Sequence, residues 1–452
     1  MRTSAGLDRT SLNRVLAPNG YVIESITLES HFKKKIEITQ IVQNITILQS
    51  IYRISVELEI IIVDNNNYFR ELELCGQEKI TLVFSKKENL KKDKKPQSVT
   101  KEFFVYEFPF LTKTSENTQV FKLRCSSNHT LKNIYKYISG YYSDTAENIL
   151  KNILIEKLGI DKNNIIVSEN IDKKVSLIIP NIRPFDAISL ILKRFVDNNN
   201  APVFCYETLN DKINIKSYTE IIEQKEIDKY SYSELNAVGE KTFTPEEYEK
   251  MKFGIRSLSC EKGFSKFKRL NEGAYCSSLE SFDIATRTYK KEDFSSKDLS
   301  MKSLYPNKTF SPNLNFENES FDQLYLSKKD FLPINSKSFE NDSSYSQVGL
   351  NVTKYRNSYI ANMEHFTLEL EIAGDFDLYP GKVIEIETRY YEENDNYGKN
   401  ITGTDEYISG KYIIISVIHT IEKQFLSKII VKRDSFPIEF KKEVSEINNA
   451  NS

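Results

Sequence analysis

The clearest structural pattern in the sequence is Ile54-Ser55-Val56-Glu57-Leu58-Glu59-Ile60-Ile61-Ile62, in which every even position is apolar. Ser55, Glu57 and Glu59 alternate with these apolar residues. Because successive side chains of a β-strand point to opposite faces, the alternation predicts a strand with one buried face. The turn-forming run Asp64-Asn65-Asn66-Asn67 follows and predicts the end of that strand.

The N-terminal quarter repeats this pattern in shorter runs. Apolar residues alternate with other residues in three further places, which are Ile80, Leu82 and Phe84, then Phe104, Tyr106 and Phe108, then Phe121, Leu123 and Cys125. Several short strands at close spacing predict a small antiparallel barrel or sandwich up to residue 125.

A lysine-rich run interrupts these strands. Lys86 to Lys95 contains six lysines and two acids. One interpretation is an electrostatic contact with phosphate or with an acidic partner, and the other is a hairpin loop in solvent. The hairpin loop is favoured, because charge runs between strands usually lie in solvent.

The pattern then becomes helical. Apolar residues recur at helical spacing in two runs, which are Leu131, Ile134, Tyr135 and Ile138, then Ala146, Ile149, Leu150, Ile153, Leu154 and Leu158. Gly159 stands where a glycine commonly ends a helix. A strand is predicted from Val175 to Ile179, ending at Pro180, and Pro184 begins a third helix. These elements predict a compact α/β segment.

The rest of the chain returns to β structure after a long polar interval. Strands are predicted at Val203 to Tyr206 and Ile213 to Tyr218, followed by an aperiodic stretch from 225 to 350 with one helix start at Thr244-Pro245-Glu246-Glu247. Later strands are predicted at Phe366 to Ile372, Val383 to Glu387, Ile413 to Ile421 and Phe425 to Arg433. The fold class is therefore mainly β with α/β insertions.

Composition excludes several classes of protein. The chain has 452 residues, with 62 Lys plus Arg against 64 Asp plus Glu, and this near-neutral balance disfavours general nucleic-acid binding. The scattered cysteines argue against a zinc ribbon or a disulfide scaffold; they are Cys75, Cys125, Cys205, Cys260 and Cys276. Neither a secretion signal nor an apolar run of membrane-spanning length is present, so we expect folding in a reducing cytoplasm and no membrane insertion.

Residues that could carry chemistry are few. Gly381-Lys382 and Gly410-Lys411 each follow an earlier glycine, but the spacing and the next residue depart from a phosphate-binding loop. The acidic runs Glu392 to Asp395 and Asp375 to Asp377 lack the spacing of a calcium loop and are interpreted as solvated turns. His419 lies on an apolar strand and is interpreted as a bonded core histidine. The sequence therefore predicts no enzyme, and no catalytic, cofactor-binding or metal site.

An ordered series of motifs in the last β segment resembles a known family. The motifs are Leu378-Tyr379-Pro380-Gly381-Lys382-Val383-Ile384, Ser409-Gly410-Lys411-Tyr412-Ile413-Ile414, Val417-Ile418-His419 and Lys432-Arg433-Asp434-Ser435-Phe436. Upstream pieces agree in order, namely Gly76-Gln77-Glu78, Ile179-Pro180-Asn181, Phe204-Cys205-Tyr206-Glu207-Thr208, Lys266-Phe267 and Gly273-Ala274-Tyr275. The series resembles the baseplate central hub proteins of contractile-tailed phages (myoviruses) and, more distantly, the hub part of type VI secretion spike proteins.

The resemblance implies a structural protein of the virion. It implies two tube-type antiparallel β-barrel domains per chain and a homotrimer, so that six barrels seat a sixfold tail tube on one side and a threefold spike on the other. Implied partners are the tail spike or tail lysozyme protein, the tail tube or tube-initiator proteins, the baseplate wedge proteins and the tape measure protein. Genome DNA passes through the channel without specific binding. The implied location is the tail baseplate of the virion, assembled in the host cytoplasm.

With this resemblance the chain divides into six parts. They are a first tube-type domain with an N-terminal arm (1–125), an α/β connector (126–200), the start of the second tube-type domain (201–224), a loop-rich insertion (225–350), the remainder of the second domain (351–440) and a flexible tail (441–452).

The alternative is a tail component that binds or degrades carbohydrate or cell wall. Tyr and Asn residues between 275 and 350 suit sugar contacts. A glycosidase needs two carboxylates across a cleft, and sequence alone does not pair them.

Overall fold

The computed structural model describes residues 21–86, 98–225, 227–232, 251–262, 265–295, 301–305, 328–337, 345–364, 366–393, 399–422 and 424–437. The strands are Tyr21–Glu29 (β1), Lys35–Glu37 (β2), Val42–Ser50 (β3), Glu57–Asp64 (β4), Lys79–Lys86 (β5), Ser98–Lys113 (β6), Gln119–Ser126 (β7), Ile138–Thr145 (β8), Ile165–Val167 (β9), Lys174–Ile182 (β10), Val203–Glu207 (β11), Ile213–Ser217 (β12), Asp228–Tyr232 (β13), Gly254–Lys262 (β14), Cys276–Asp283 (β15), Thr288–Ser295 (β16), Lys329–Ile334 (β17), Phe366–Ala373 (β18), Val383–Glu387 (β19), Arg389–Glu393 (β20), Lys399–Thr404 (β21), Gly410–Ile421 (β22) and Phe425–Arg433 (β23). The α-helices are Tyr68–Glu71 (α1), Asn128–Tyr135 (α2), Ala146–Asn152 (α3), Pro184–Lys193 (α4), Tyr218–Ile222 (α5), Lys266–Glu272 (α6) and Tyr345–Met363 (α7).

Most strands belong to one continuous sheet. Its order within the described residues is β19-β13-β14-β18-β23-β22-β3-β4-β7-β6-β5-β1-β2. The first six strands form a closed barrel, called the second barrel here, because β19 pairs with both β13 and β22. The other seven, called the first module, surround their own apolar core. The prediction of a mainly β fold with barrels is confirmed.

The stretch that predicted the fold lies at the centre of the first module. Val56, Leu58, Ile60 and Ile62 are each no more than 1% exposed, as the alternation predicts. The Asp64 carboxylate accepts hydrogen bonds from the backbone N–H groups of the following turn. This bonding explains why β4 ends at Asp64.

Five strands of the first module recur in the second barrel. The order β3-β4-β7-β6-β5 corresponds to β14-β18-β23-β22-β19, and every pairing in both sets is antiparallel. Both sets also have a β-bulge in their first and fourth strands. The register shifts are Val42/Asn44 against Ile255/Ser257, and Val105/Glu107 against Ile414/Ser416. The two sets are therefore an internal structural repeat.

The connector differs from the sequence prediction at its first helix. The helix α2 ends at Tyr135, and Ile138 begins β8 instead of continuing the helix. Ile134 and Tyr135 are 49% and 66% exposed, so the helical spacing there does not mark a buried face. The predicted strand at Val175 continues past Pro180 to Ile182, which a two-stranded sheet with open edges tolerates.

A small sheet lies between the connector and the second barrel. The strand β11 pairs with β12, and β12 pairs in parallel with β9. One face of β11 contributes Val203 and Cys205 to the connector core, while Phe204 and Tyr206 on its other face join a cluster that contains Val383 and Ile413 of the second barrel.

The polar interval from 225 to 350 contains more β structure than its sequence predicts. The described residues of this interval include a three-stranded sheet of β16, β15 and β17. Its central strand β15 is rich in serine and mostly buried, so it shows no alternation of apolar and polar residues. The helix start predicted at Thr244 lies outside the described residues.

The junction between the two β modules as candidate functional site

One long strand joins the first module to the second barrel. The N-terminal part of β22, up to Ile413, pairs with β19 and closes the second barrel. Beyond the bulge between Ile414 and Ser416, β22 pairs with β3 from Ser416 opposite Ser50 to Ile421 opposite Ile45. The backbone ladder therefore runs without interruption from one module into the other.

A buried polar chain crosses this junction. The side-chain oxygen of Gln49 accepts from the backbone N–H of Leu209 at 2.9 Å, which turns the Gln49 amide nitrogen towards Nε2 of His419 at 3.3 Å. An amide N–H donates, so Nε2 of His419 must accept and Nδ1 carries the proton, which it donates to Ser427 Oγ at 2.8 Å. Burial lowers the pKa of His419 to about 3, so the ring is neutral. The interpretation of His419 as a bonded core residue agrees with this geometry.

Aromatic side chains of the second barrel enter the core of the first module. The ring centroids of Phe376 and Phe425 lie 4.5 Å apart, and those of Phe376 and Phe84 of β5 lie 4.2 Å apart. A Cβ on Gly374 would lie 2.1 Å from the ring of Phe425. Position 374 therefore requires glycine, and the two cores are fused at the junction.

A buried ionic group ties the connector to the first module. Glu207, at the end of β11, lies 2.7 Å from Nζ of Lys101 on β6, and the two side chains are 3% and 1% exposed. The second carboxylate oxygen accepts from the backbone N–H of Val56 at 2.8 Å and from the hydroxyl of Ser127, with His129 at 3.4 Å. Burial alone raises the pKa of Glu207, but attraction by Lys101 and His129 outweighs it and lowers the pKa to about 2. Glu207 is therefore an anion that binds β6 and the residue before β4 in the first module, and also the residue before α2.

Two of the motifs that carry the family resemblance meet at Gly381. The backbone of Gly381 has φ +84°, and a Cβ there would lie 2.3 Å from the hydroxyl oxygen of Tyr206. Tyr206 is fully buried, and Gln224 donates to the carbonyl of Gly381 at 2.6 Å. Glycine is required for both the left-handed backbone and the close approach.

The last motif is also buried. Arg433 is fully buried, and its guanidinium lies 3.9 Å from the ring centroid of Phe436 and 4.6 Å from that of Phe366. Asp434 accepts from the hydroxyl of Tyr218 at 2.6 Å and from the backbone N–H of Leu304, while burial raises its pKa. These charges fix the end of the second barrel to the connector and the insertion.

Charges on the outer face of the continuous sheet are paired. Glu59 binds Lys122 and, at 2.8 Å, Arg124, which also binds Glu107 at 2.9 Å. Across the junction, Lys428 binds Glu369. In these pairs the positive and negative side chains on this face offset each other.

The glycine-lysine pairs and acidic runs have structural roles where they are described. Lys382 precedes β19 and Gly410 begins β22, so each pair leads into a strand, whereas a phosphate-binding loop leads into a helix. Asp375 accepts from the backbone N–H of Asp377 at 2.9 Å and forms the expected turn, but only Asp377 is exposed, whereas Asp375 is buried, so the prediction of a solvated turn is wrong for Asp375. The side chains of Glu392 to Asp395 lie outside the described residues, as do Lys87 to Lys95, the N-terminal arm and the tail.

Within the described residues, no group of three or more His, Cys, Asp or Glu side chains could hold a metal ion. None of the five cysteines forms a disulfide there. No helix of the described ranges has the length and apolar character needed to span a membrane. The predicted absence of catalytic, cofactor-binding and metal sites stays a prediction.

Sequence reasoning missed the residues that hold the modules together. The alternation of apolar and polar residues does not distinguish these residues from other residues in strands; they are Lys101, Gln49 and Glu207. The only signal was the inclusion of Glu207 in a resemblance motif, which did not reveal its partners.

Comparisons with known proteins give structural matches only. No protein-family model matches the chain, and no curated protein is significantly similar to it in sequence. The tail protein from Neisseria meningitidis MC58 matches with a TM-score of 0.53 at 9% identity, covering 92% of this chain and 97% of that chain.

Two further matches are weaker. The 43 kDa tail protein of prophage MuSo2 from Shewanella oneidensis has a TM-score of 0.48 at 11% identity, covering 92% of this chain and 100% of that chain. A component of the type VI secretion system of E. coli has a TM-score of 0.41 at 8% identity, covering 93% and 78%. The chain shares the fold of the Neisseria tail protein.

Proposed function

We propose that this chain is a structural component of a phage tail, the central hub of the baseplate of a contractile tail. The observation that carries the proposal is the internal repeat, in which two similar β modules are joined edge to edge in one sheet. Three such chains contain six similar modules. A closed ring of six seats a sixfold tail tube on one face and a threefold spike on the other.

The charge pattern supports a channel wall that does not bind DNA. The ion pairs of Glu59 with Arg124 and of Glu369 with Lys428 lie on the face of the sheet that continues across the junction. A surface that neutralises phosphates needs unpaired cations, whereas paired charges let DNA slide past. In the proposed ring this face lines the channel for the tape measure protein and then the genome.

The proposed partners follow from this position. The spike or tail lysozyme protein occupies one side of the ring, the tail tube or its initiator the other, and wedge proteins the periphery. The insertion from 225 to 350 contacts neighbouring chains or the spike. The complete particle assembles in the host cytoplasm and places the hub in the virion tail.

We also propose that the chain is not an enzyme. Two buried acids near the junction, Glu207 and Asp434, both have their oxygens occupied by structural hydrogen bonds. Incubation of the purified protein with peptidoglycan tests this directly, and release of soluble sugar fragments would overturn it.

Oligomeric state tests the hub proposal. Light scattering of the protein alone and mixed with its candidate spike should give a trimer in at least the mixture, and electron microscopy should reveal threefold density. A monomer or dimer in both samples contradicts the proposal.

A further inference from the structure

The strand β6 has an open edge along its C-terminal half. Residues Ser98 to Phe104 of β6 pair with β5, whereas Phe104 to Lys113 pair with β7 on the opposite side. On the side of β5, no strand of the described residues pairs with β6 beyond residue 105. Two large apolar residues at this edge, Phe110 and Leu111, are 41% and 44% exposed.

The strand β14 has a matching open edge. It pairs with β18 along its whole length, but β13 reaches only Gly254 and Ile255 on the other side. The rest of that edge, through Ser259, receives no other strand from the described part of the chain, and Ser257 and Ser259 are exposed.

The internal repeat makes the junction within the chain a template for these two edges. The strand β22 corresponds to β6, and β3 corresponds to β14. In the chain, the C-terminal half of β22 fills the edge of β3. The equivalent filling of β14 by the C-terminal half of β6 is impossible within one chain, because β6 lies in the first module and β14 on the far side of the second barrel.

The register of the template sets the register of the missing pairing. Counted from the bulge that the two sets share, Phe121 of β7 corresponds to Ser427 of β23. Leu111 lies opposite Phe121, and His419 lies opposite Ser427. Leu111 therefore corresponds to His419, which pairs with Ile47. Ile47 pairs with Leu58 of β4, as Cys260 pairs with Leu368 of β18, so Ile47 corresponds to Cys260.

We propose that Leu111 to Lys113 of one copy pair antiparallel with Leu258 to Cys260 of a second copy, with Leu111 opposite Cys260. The proposal deepens the hub function and rests on it, because it names the edges that close the ring. The contact is head to tail, since each copy offers one edge of each kind, and head-to-tail contacts close into rings. It also covers Leu111, whose equivalent His419 is fully buried at the junction within the chain.

Disulfide trapping tests this register. Opposed residues of an antiparallel ladder have Cα atoms about 4.5–5.5 Å apart, which lies within the range of disulfides. In a Cys75→Ser background, which removes the other exposed cysteine, Leu111→Cys should form a bond with the native Cys260 of the next copy under mild oxidation. Non-reducing electrophoresis should show covalent dimers and trimers, and Cys260→Ser in the same background should abolish them. Thr112→Cys is the matched control, because neighbouring strand residues point to opposite faces.

A second variant tests the proposed pairing of Leu111 with Cys260 between copies, called the joint here, by measuring association instead of crosslinking. Leu111→Lys changes an exposed side chain of the isolated chain, but in the proposed joint it places an unpaired charge at the position equivalent to the fully buried His419. We expect association to weaken by about 100-fold or more in light scattering, with an unchanged circular dichroism spectrum. Ile178→Lys on the connector, at 60% exposure, is the matched control and should leave association unchanged.

The outcomes distinguish the two proposals, which are the joint and the hub function. A ring that forms without the 111–260 crosslink, and that tolerates Leu111→Lys, overturns the joint and leaves the hub function standing. Crosslinking in a ring of a different number of copies upholds the joint and contradicts the trimer. A chain that stays monomeric alone and with its spike contradicts both.

Discussion

Replacement of Glu207 by glutamine tests whether the buried ionic group holds the connector to the first module. Glutamine keeps the size of the side chain but removes one of the two negative charges that face Lys101, which is 1% exposed; the other is the carboxylate of Asp211. The lowering of the pKa of Glu207 from 4.5 to about 2 corresponds to about 3 kcal/mol of stabilisation. Loss of one partner of a buried ion pair typically costs about 3–5 kcal/mol, and because Asp211 still faces Lys101 we expect a loss at the lower end of that range.

The assay is urea unfolding followed by far-ultraviolet circular dichroism, since the chain has no tryptophan. Hydrogen exchange at the backbone of Val56, whose N–H donates to Glu207, reports the same change locally. Glu147→Gln is the matched control, because its pairing with Lys151 is partly exposed and should contribute under about 1 kcal/mol.

The pH dependence gives a second, independent readout. Because the folded pKa of Glu207 lies below its unfolded value, its stabilisation is complete above pH 4.5 and is lost as the pH falls towards 2. The difference in unfolding free energy between wild type and Glu207→Gln should therefore shrink between pH 5 and 3. A loss below about 1 kcal/mol at pH 7, or a difference that does not change with pH, would refute the reasoning.

Three further predictions concern the same junction. Gly381→Ala should destabilise the second barrel by about 1–3 kcal/mol in thermal unfolding, because its Cβ meets the Tyr206 hydroxyl, and Tyr206→Phe should recover part of that loss. His419→Gln should leave assembly intact by light scattering. Because burial lowers the pKa of His419 from 6.5 to about 3, the wild-type protein should lose stability as the pH falls below 6.5. His419→Gln should reduce this loss, and an unchanged pH profile of the free energy of unfolding contradicts the prediction. Val417→Asp should place an unpaired charge in a fully buried position, cost several kcal/mol and yield insoluble protein, and soluble, folded protein would argue against burial.

Local periodicity predicted eleven of the 23 strands in the described residues but failed at the first helix of the connector. The alternation from Val56 to Ile62 predicted which side chains are buried, because strand geometry alone assigns them to faces, whereas in β18 Thr367 is buried on the face that alternation assigns to polar residues. The first connector helix failed the same test, since Ile134 is exposed and Ile138 belongs to a strand. Helical spacing indicates which residues share a face but not whether a neighbour covers that face.

The sequence alone predicted four strands of each repeated set but missed β3 and β14, and it also carried the turns at glycine and proline and the resemblance to tail hub proteins. It could not place β22 against β3, although Ser416 and Ser50 bond across a separation of 366 residues. Alternation selects a buried face without selecting the strand that pairs with its edge, because backbone hydrogen bonds are the same for every sequence. Only the tertiary structure brings Glu207 to Lys101 and Gly381 to Tyr206, since the desolvation and close contact that give these residues their roles exist only once the modules pack together.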